Sequence, residues 1–234
     1  MKVSLIVFTI DEIEGMRAIM PRVKREWVDQ IILFDGGSTD GTIEYAEEHG
    51  YLVHKETGGG VRPAYKELMP KIEGDVIIAF SPDGNSVPEL IPDLAAKMKE
   101  GYDMVIASRY LGPARSEDDT AITAFGNWLF TRTVRLLHGS KITDVMVMYR
   151  AFRKQLLYDL ELLEPKWYAT PEKLLRCRIG IEPLMSVRAA KRKLKIAEIP
   201  GDEPARIGGK TKLKVWRWGA AYYFQILREV FFWR

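Results

Sequence analysis

Cysteine is almost missing from this chain. Its 234 residues include one, Cys177, which rules out an internal disulfide, and its three histidines are scattered rather than spaced as zinc ligands. A disulfide-free chain suits a reducing compartment, so the expected location is cytoplasmic. No apolar run reaches the roughly 18 residues of a membrane-spanning helix. The opening MKVSLIVFTIDE meets acids within ten residues and lacks the apolar region and cleavage site of a secretory signal. Strand one carries no G-x-G-x-x-G, which weighs against a dinucleotide-dependent oxidoreductase, and no G-x-x-x-x-G-K-[ST] occurs. Internal repeats, low-complexity tracts and linker-like stretches are absent too, so one domain is expected over 1–234.

What is present is an alternation. The segments VSLIVFT, QIILFD, YLVHKE, DVIIAFSPD and DMVIASRY read as strands. Amphipathic stretches between them read as helices, GMRAIMPRVKREW among them despite Pro21. Strands of continuous apolar character separated by helices predict an α/β fold, a mostly parallel sheet with helices on both faces. Ligands bind such sheets beyond the carboxyl ends of the strands. Three acid-bearing loops fall there: Thr9 to Glu12, Asp35 to Asp40 and Ser81 to Asn85. A change of pattern near residue 112 divides the chain into a nucleotide half (1–111), an acceptor half (112–213) and a terminal helix (214–234).

In LFDGGSTDGT, glycines including Gly37 permit positive φ and close approach of a ligand. Asp40 reads as the cap of the following helix, whereas nothing about a turn requires an acid at Asp35. In FSPDGNSVPE, Asp83 and Asn85 offer oxygen ligands of the kind that Mg²⁺ or Mn²⁺ shares with a substrate's phosphates. TGGGVRPAY places glycines before a helix containing Arg62, a weak phosphate-cradle pattern.

In series these segments resemble glycosyltransferase family 2, nearest to its dolichyl- or polyprenyl-phosphate sugar synthases. VSLIVFTIDEIEGM is similar to that family's opening strand, DGGSTDGT to its D-[DG]-G-S-T-D-G-T, and FSPDGNSVPE to its metal loop. VIASRYL, ITDVMVMYRAFRKQLL and ARIGGKTKL follow in the family's order, so the likeness spans residues 3 to 213. The resemblance implies the GT-A fold and an inverting transfer of a sugar from a nucleoside diphosphate, with Mg²⁺ or Mn²⁺ as cofactor. It implies that Thr9, Glu12 and Asp35 line the base and ribose pocket, with Gly37, Arg62 and Ser81 beside the nucleotide. Asp83, with Asn85, would hold the metal. Arg109, Arg206 and Lys212 would meet phosphates, and Asp144 would serve the acceptor, a polyprenyl phosphate or a glycan hydroxyl. Several positions depart from the pattern. Ser81 stands where the family has the first acid of the metal loop, Gly36 replaces one acid of a pair, TDVMVMYR lacks a P-T-S-G core, and the acidic SEDDTAIT stands where arginine is usual. Two other classes fit parts of the sequence, a sugar-1-phosphate nucleotidyltransferase and a catalytically weak sugar-nucleotide-binding protein.

Charge adds one more feature. The net charge is +3, yet Lys191 to Arg234 holds eleven Lys/Arg against four Asp/Glu. The tail KVWRWGAAYYFQILREVFFWR pairs tryptophans with arginines on a broad aromatic helix face. That suits a peripheral membrane contact; core packing or a homodimer seam are its alternatives. RAAKRKLK reads as a solvated helix end, and no nucleic-acid partner is expected.

Overall fold

The computed structural model describes residues 1–57, 60–208 and 215–233. Seven strands form one sheet: β1 (Val3–Thr9), β2 (Gln30–Asp35), β3 (Leu52–Lys55), β4 (Val76–Phe80), β5 (Met104–Ser108), β6 (Arg150–Arg153) and β7 (Ile196–Pro200). Their order is β3-β2-β1-β4-β6-β5-β7, with β6 antiparallel to both neighbours and every other pairing parallel. All residues of β4 and β5 are buried, which is why they read as unbroken apolar runs. The family-like α/β architecture is therefore present, with strands from both sides of residue 112 interleaved in a single sheet.

β6 escaped the sequence reading because RAFR is short and half arginine. Its reversed direction matters, because Arg150 pairs with Ala79 and Ile106 near the carboxyl ends of β4 and β5. The segment leading into it, Asp144 to Tyr149, is thereby delivered to the ligand-binding edge. Arg150 itself is wholly buried and fixes that segment from behind, donating to the carbonyls of Val145 (3.3 Å) and Val147 (2.9 Å) and to Ser186 Oγ (2.9 Å). Burial lowers its pKa, an effect opposed by Glu182 and Asp144.

The helices obey their local signals, with one correction. The stretch before β2 is not one helix: α1 (Ile13–Ile19) gives way to a 3₁₀ turn at Met20–Arg22 holding Pro21, and a second at Arg25–Trp27. Proline lacks the donor an α-helix needs there. Next come α2 (Thr42–Glu48), α3 (Val61–Leu68), which stops before Pro70, and α4 (Ile91–Lys99). α5 (Ala121–His138) starts at a Thr120/Thr123 capping box and ends at Gly139, whose φ is 61°. α6 (Leu156–Asp159), α7 (Ala169–Leu175), α8 (Glu182–Lys191) and α9 (Val215–Phe232) complete the set. Cys177 lies past the end of α7 and is half-buried rather than a helix core residue.

The basic segment RAAKRKLK is the end of α8, with Arg192, Lys193 and Lys195 exposed beyond it, but its first residues belong to the buried part of that helix. Its Arg188 is fully buried and pairs with Glu229 of α9, Nε to Oε2 at 2.7 Å. Gln225 donates to the other Glu229 oxygen at 3.0 Å, and the Arg188 guanidinium lies 4.6 Å from the ring centroids of both Trp167 and Trp233. α9 is thus fastened to α8 by charge, while Trp216, Phe231 and Phe232 on its outer side remain 76%, 77% and 65% exposed. No helix among the described residues is long and apolar enough to cross a membrane.

At the other end of the sheet, the loops after β1 and β2 are stitched by carboxylates. Asp35 is fully buried, accepting from Gly37 N (2.8 Å) and Ser38 N (2.7 Å) through one oxygen and from Thr9 Oγ1 (2.9 Å) and Ser38 Oγ through the other. Asp40 accepts from Thr42 N at the start of α2 (3.0 Å) and from Ile13 N at the start of α1 (2.9 Å), so one side chain serves two helix termini.

Two substitutions test these anchors. Glu229→Ala leaves a buried guanidinium uncompensated and should cost about 3–5 kcal/mol, read as a fall in urea midpoint; Arg188→Met combined with Glu229→Leu should recover most of it. Asp35→Asn puts an amide NH₂ where a second acceptor stood. It should lower ligand-free stability by about 1–3 kcal/mol for each donor left without a partner, measured calorimetrically. An unchanged melting temperature would mean that Asp35 is not what closes this turn.

Candidate active site

Three adjoining clefts run along the carboxyl edge of the sheet. The first, of about 480 Å³, lies over β1 and β2 and is lined by Phe8, Thr9, Glu12, Phe34, Gly36 and Glu56, with Ser81, Met148 and Arg206 at its inner end. Ser81, Met148 and Arg206 also line the second cleft, of about 340 Å³, together with Asp83, Asn85, Arg109, Asp118 and Glu203. A third of about 340 Å³ shares Arg109, Asp118, Met146 and Glu203 with the second and continues between α5 and α9, past Ile122, Phe130, Val215 and Tyr222. Trp218 of α9 lines both the first and the third. The sequence thus delivers Thr9, Glu12, Ser81, Asp83, Asn85, Arg109 and Arg206 to adjoining clefts whose two junctions each carry an arginine.

Arg109 extends from the end of β5 and is nine-tenths hidden. It grips Asp144 with two bonds, Nε–Oδ2 at 2.7 Å and Nη2–Oδ1 at 3.1 Å, and reaches Glu203 at 3.1 Å and Asp119 at 3.8 Å. Burial opposes its charge, but Asp144 and Glu203 more than compensate and its pKa is raised. Asp144 Oδ1 also accepts from Met146 N and Val147 N, both at 3.2 Å. From behind, Glu198 of β7 accepts from Thr143 N (2.9 Å) and Asp144 N (3.2 Å), with its own pKa raised by burial. Asp144 has no exposed surface, and its carboxylate is engaged by Arg109 and by the N–H groups of Met146 and Val147.

Arg206 bridges the other junction. Its Nη1 lies 2.8 Å from Asp83 Oδ2 and 3.4 Å from Glu12 Oε1. The chain around it leans on Gly84, where φ is +98° and an added methyl would come within 2.9 Å of Ile207. Asp83 Oδ1 accepts from Asn85 N at 3.1 Å, and Asn85 Nδ2 donates to Asp118 at 2.9 Å. Two atoms beside Asp83 are buried without a hydrogen-bond partner among the described residues: the acceptor Asn85 Oδ1 and the donor Arg206 Nε. A stranded acceptor suits a cation and a stranded donor suits an anion. The second cleft also carries four carboxylates (Asp83, Asp118, Asp202, Glu203) against two guanidiniums, an excess that repels a bare diphosphate and admits one accompanied by a divalent cation. Asp83 and Asn85 offer the hard oxygen donors that suit a divalent cation; no cluster of three metal-ligating side chains occurs among the described residues.

Not every candidate converges here. Arg62 does not line the three clefts; it makes a two-bond pair with Glu172 of α7 (3.0 and 3.3 Å) and lies 4.1 Å from the Tyr168 ring centroid. Asp35 and Gly37 act on the cleft through the turn they build; Asp35 is sealed beneath it. Lys212 lies outside the described residues. Sequence reasoning passed over Glu56, Asp118, Glu203 and Arg150. Glu56 was findable as an acid directly after strand β3, on the same edge as the others. The acidic loop before α5 has a structural use: Asp118 and Asp119 hold Asn85, Arg109 and Tyr110, and Ser116 Oγ donates to Glu203.

The chain is 28% identical to Glycosyltransferase AglJ of Haloferax volcanii over 97% of this chain and 71% of that protein. It is 26% identical to an undecaprenyl-phosphate mannosyltransferase of Micrococcus luteus over 97% and 98% of the two chains. Glucosyl-3-phosphoglycerate synthase from Mycobacterium tuberculosis, in complex with Mn²⁺, uridine diphosphate and phosphoglyceric acid, superposes with a TM-score of 0.69 at 16% identity, covering 98% of this chain and 78% of that one. Residues 4–161 match the model of glycosyl transferase family 2. The acid-bearing strand ends, the junction arginines and this match agree, and the chain belongs to glycosyl transferase family 2.

Proposed function

We propose that this glycosyltransferase moves a sugar from a nucleoside diphosphate to the phosphate of a polyprenyl phosphate, with inversion at the sugar carbon. The observation that carries the reading is the pair of stranded atoms flanking Asp83, Asn85 Oδ1 and Arg206 Nε, at the junction between the first and second clefts. The nucleoside occupies the first cleft and its diphosphate the junction. Asp83 and Asn85 hold the Mg²⁺ or Mn²⁺, which when bound neutralises charge on the departing diphosphate. Arg206 and Arg109 add fixed positive charge on either side of the reacting centre, oriented in advance by Glu12, Asp83 and Asp144. An acceptor phosphate oxygen bonds to the sugar carbon as the bond from that carbon to the diphosphate breaks. The acceptor is already an anion, so no protein base is required, in keeping with the enclosure of Asp144.

The third cleft supports a lipid acceptor. Alongside the polar residues near Arg109 it is lined by Ile122, Phe130, Val215, Trp218 and Tyr222, and elsewhere on α5 Phe125 and Trp128 are exposed, stacked at 5.7 Å with Arg132 5.9 Å from the Trp128 centroid. Trp216, Phe231 and Phe232 of α9 add further exposed rings, of the kind suited to a headgroup layer. The Micrococcus luteus relative is named for an undecaprenyl phosphate.

Asp83→Asn should abolish Mn²⁺-dependent binding of nucleoside diphosphate and lower the affinity for Mn²⁺ alone by about tenfold or more, both read by calorimetric titration. Retained metal dependence would move the ion elsewhere. For the membrane face, replacing Trp216, Phe231 and Phe232 together by serine should leave the melting temperature within a few degrees and remove co-sedimentation with anionic vesicles at low salt. Equal sedimentation of both proteins would return this surface to a protein–protein role.

A further inference from the structure

Glu56 is the carboxylate of the first cleft that the reading above does not use. Its backbone N–H is pinned to the Asp35 carbonyl at 2.8 Å, so the residue is held at the end of β3 beside the turn after β2. Its side chain reaches over Gly36, where an added methyl would lie 3.3 Å from Glu56 Oε2. Oε1 is buried and has no hydrogen-bond partner among the described residues. The other acid of the cleft, Glu12, is committed to Arg206. Half-buried Glu56 therefore presents one oxygen, Oε1, in the cleft walled by Phe8 and Phe34 as an acceptor lacking a donor among the described residues.

An ionised carboxylate only accepts, and one taken out of water without a donor is costly to keep. A ligand that brings an N–H removes that cost, and one that brings a lone pair raises it. Uracil and guanine present a ring N–H on the edge opposite the sugar, whereas cytosine and adenine present a ring nitrogen lone pair there. We propose that Glu56 reads the donor's base and selects a nucleoside diphosphate with a ring N–H, that is, a uracil or guanine nucleotide. Gly36 contributes by leaving the space that the Glu56 carboxylate fills. This inference rests on the assignment of the first cleft to the nucleoside.

The test is calorimetric titration of the full chain with UDP, GDP, CDP and ADP in the presence of Mn²⁺, repeated with UDP methylated at N3. The wild type should bind UDP or GDP about 10- to 100-fold more tightly than CDP and ADP, the range expected for a hydrogen bond to a charged group. If UDP is the preferred ligand, N3-methylation should cost a similar factor. If GDP is preferred, N1-methyl-GDP takes its place in that comparison. Glu56→Gln, whose amide both donates and accepts, should reduce the preference to within about threefold while keeping metal-dependent binding. A wild type that binds all four equally, prefers CDP or ADP, or tolerates ring methylation overturns the proposal, as does a folded Glu56→Gln protein with the original preference. Should that variant not fold, the methylated ligand decides alone. Failure of all four nucleotides to bind would instead overturn the placement of the nucleoside in this cleft.

Discussion

The site depends on one buried ion pair, Arg109 with Asp144. Each partner comes from a different part of the chain, Arg109 from the end of β5 and Asp144 from the segment leading into antiparallel β6. Glu203, beyond β7, joins through the remaining guanidinium nitrogen. A guanidinium this enclosed is tolerable only because its fork is met by carboxylates at hydrogen-bond distance, and the carboxylates are tolerable only because backbone N–H groups and Arg109 share their charge. Arg150 and Glu198 support the same loop from the opposite side. The second and third clefts share Arg109 as a wall, so their shapes follow from this pair.

Much of the fold was legible because burial leaves a mark in composition. Strands covered on both faces are unbroken apolar runs, as β4 and β5 are. The convergence of Thr9, Glu12, Ser81 and Asp83 on one edge was legible as well, since they stand at or just after the ends of strands. Two kinds of residue were not. Charged groups buried by partners far along the chain, such as Arg150, Arg188 and Glu229, look like solvated charges until the fold supplies their neighbours. Residues whose role is set by direction rather than position, such as Arg62 turned toward Glu172, share their local sequence with ligand-facing ones.

Two acids expected from the motif pattern are missing from their places in the sequence, and carboxylates from other loops stand close to both places. Asp118 lines the same cleft as Ser81, brought there by the loop before α5 and held by Asn85. Glu56 lies over Gly36, brought there by the end of β3. The charge of the clefts is therefore a property of the assembled edge. A motif read along one loop undercounts it.

The reversed strand β6 also orders events in time. β4 and β5 do not pair with each other; they meet only through residues 150–153, and β5 then waits for β7 at 196–200. A chain emerging from the ribosome can pair β1 with β2 and β4, and β2 with β3, using its first 80 residues, and the walls over β1 and β2 form with them. The arginine-bearing clefts beyond must await contacts spanning nearly a hundred residues. Pairings of such long range are slow to form and leave β4 and β5 with open edges meanwhile. The half of the molecule that assembles last is thus the one that holds the second and third clefts.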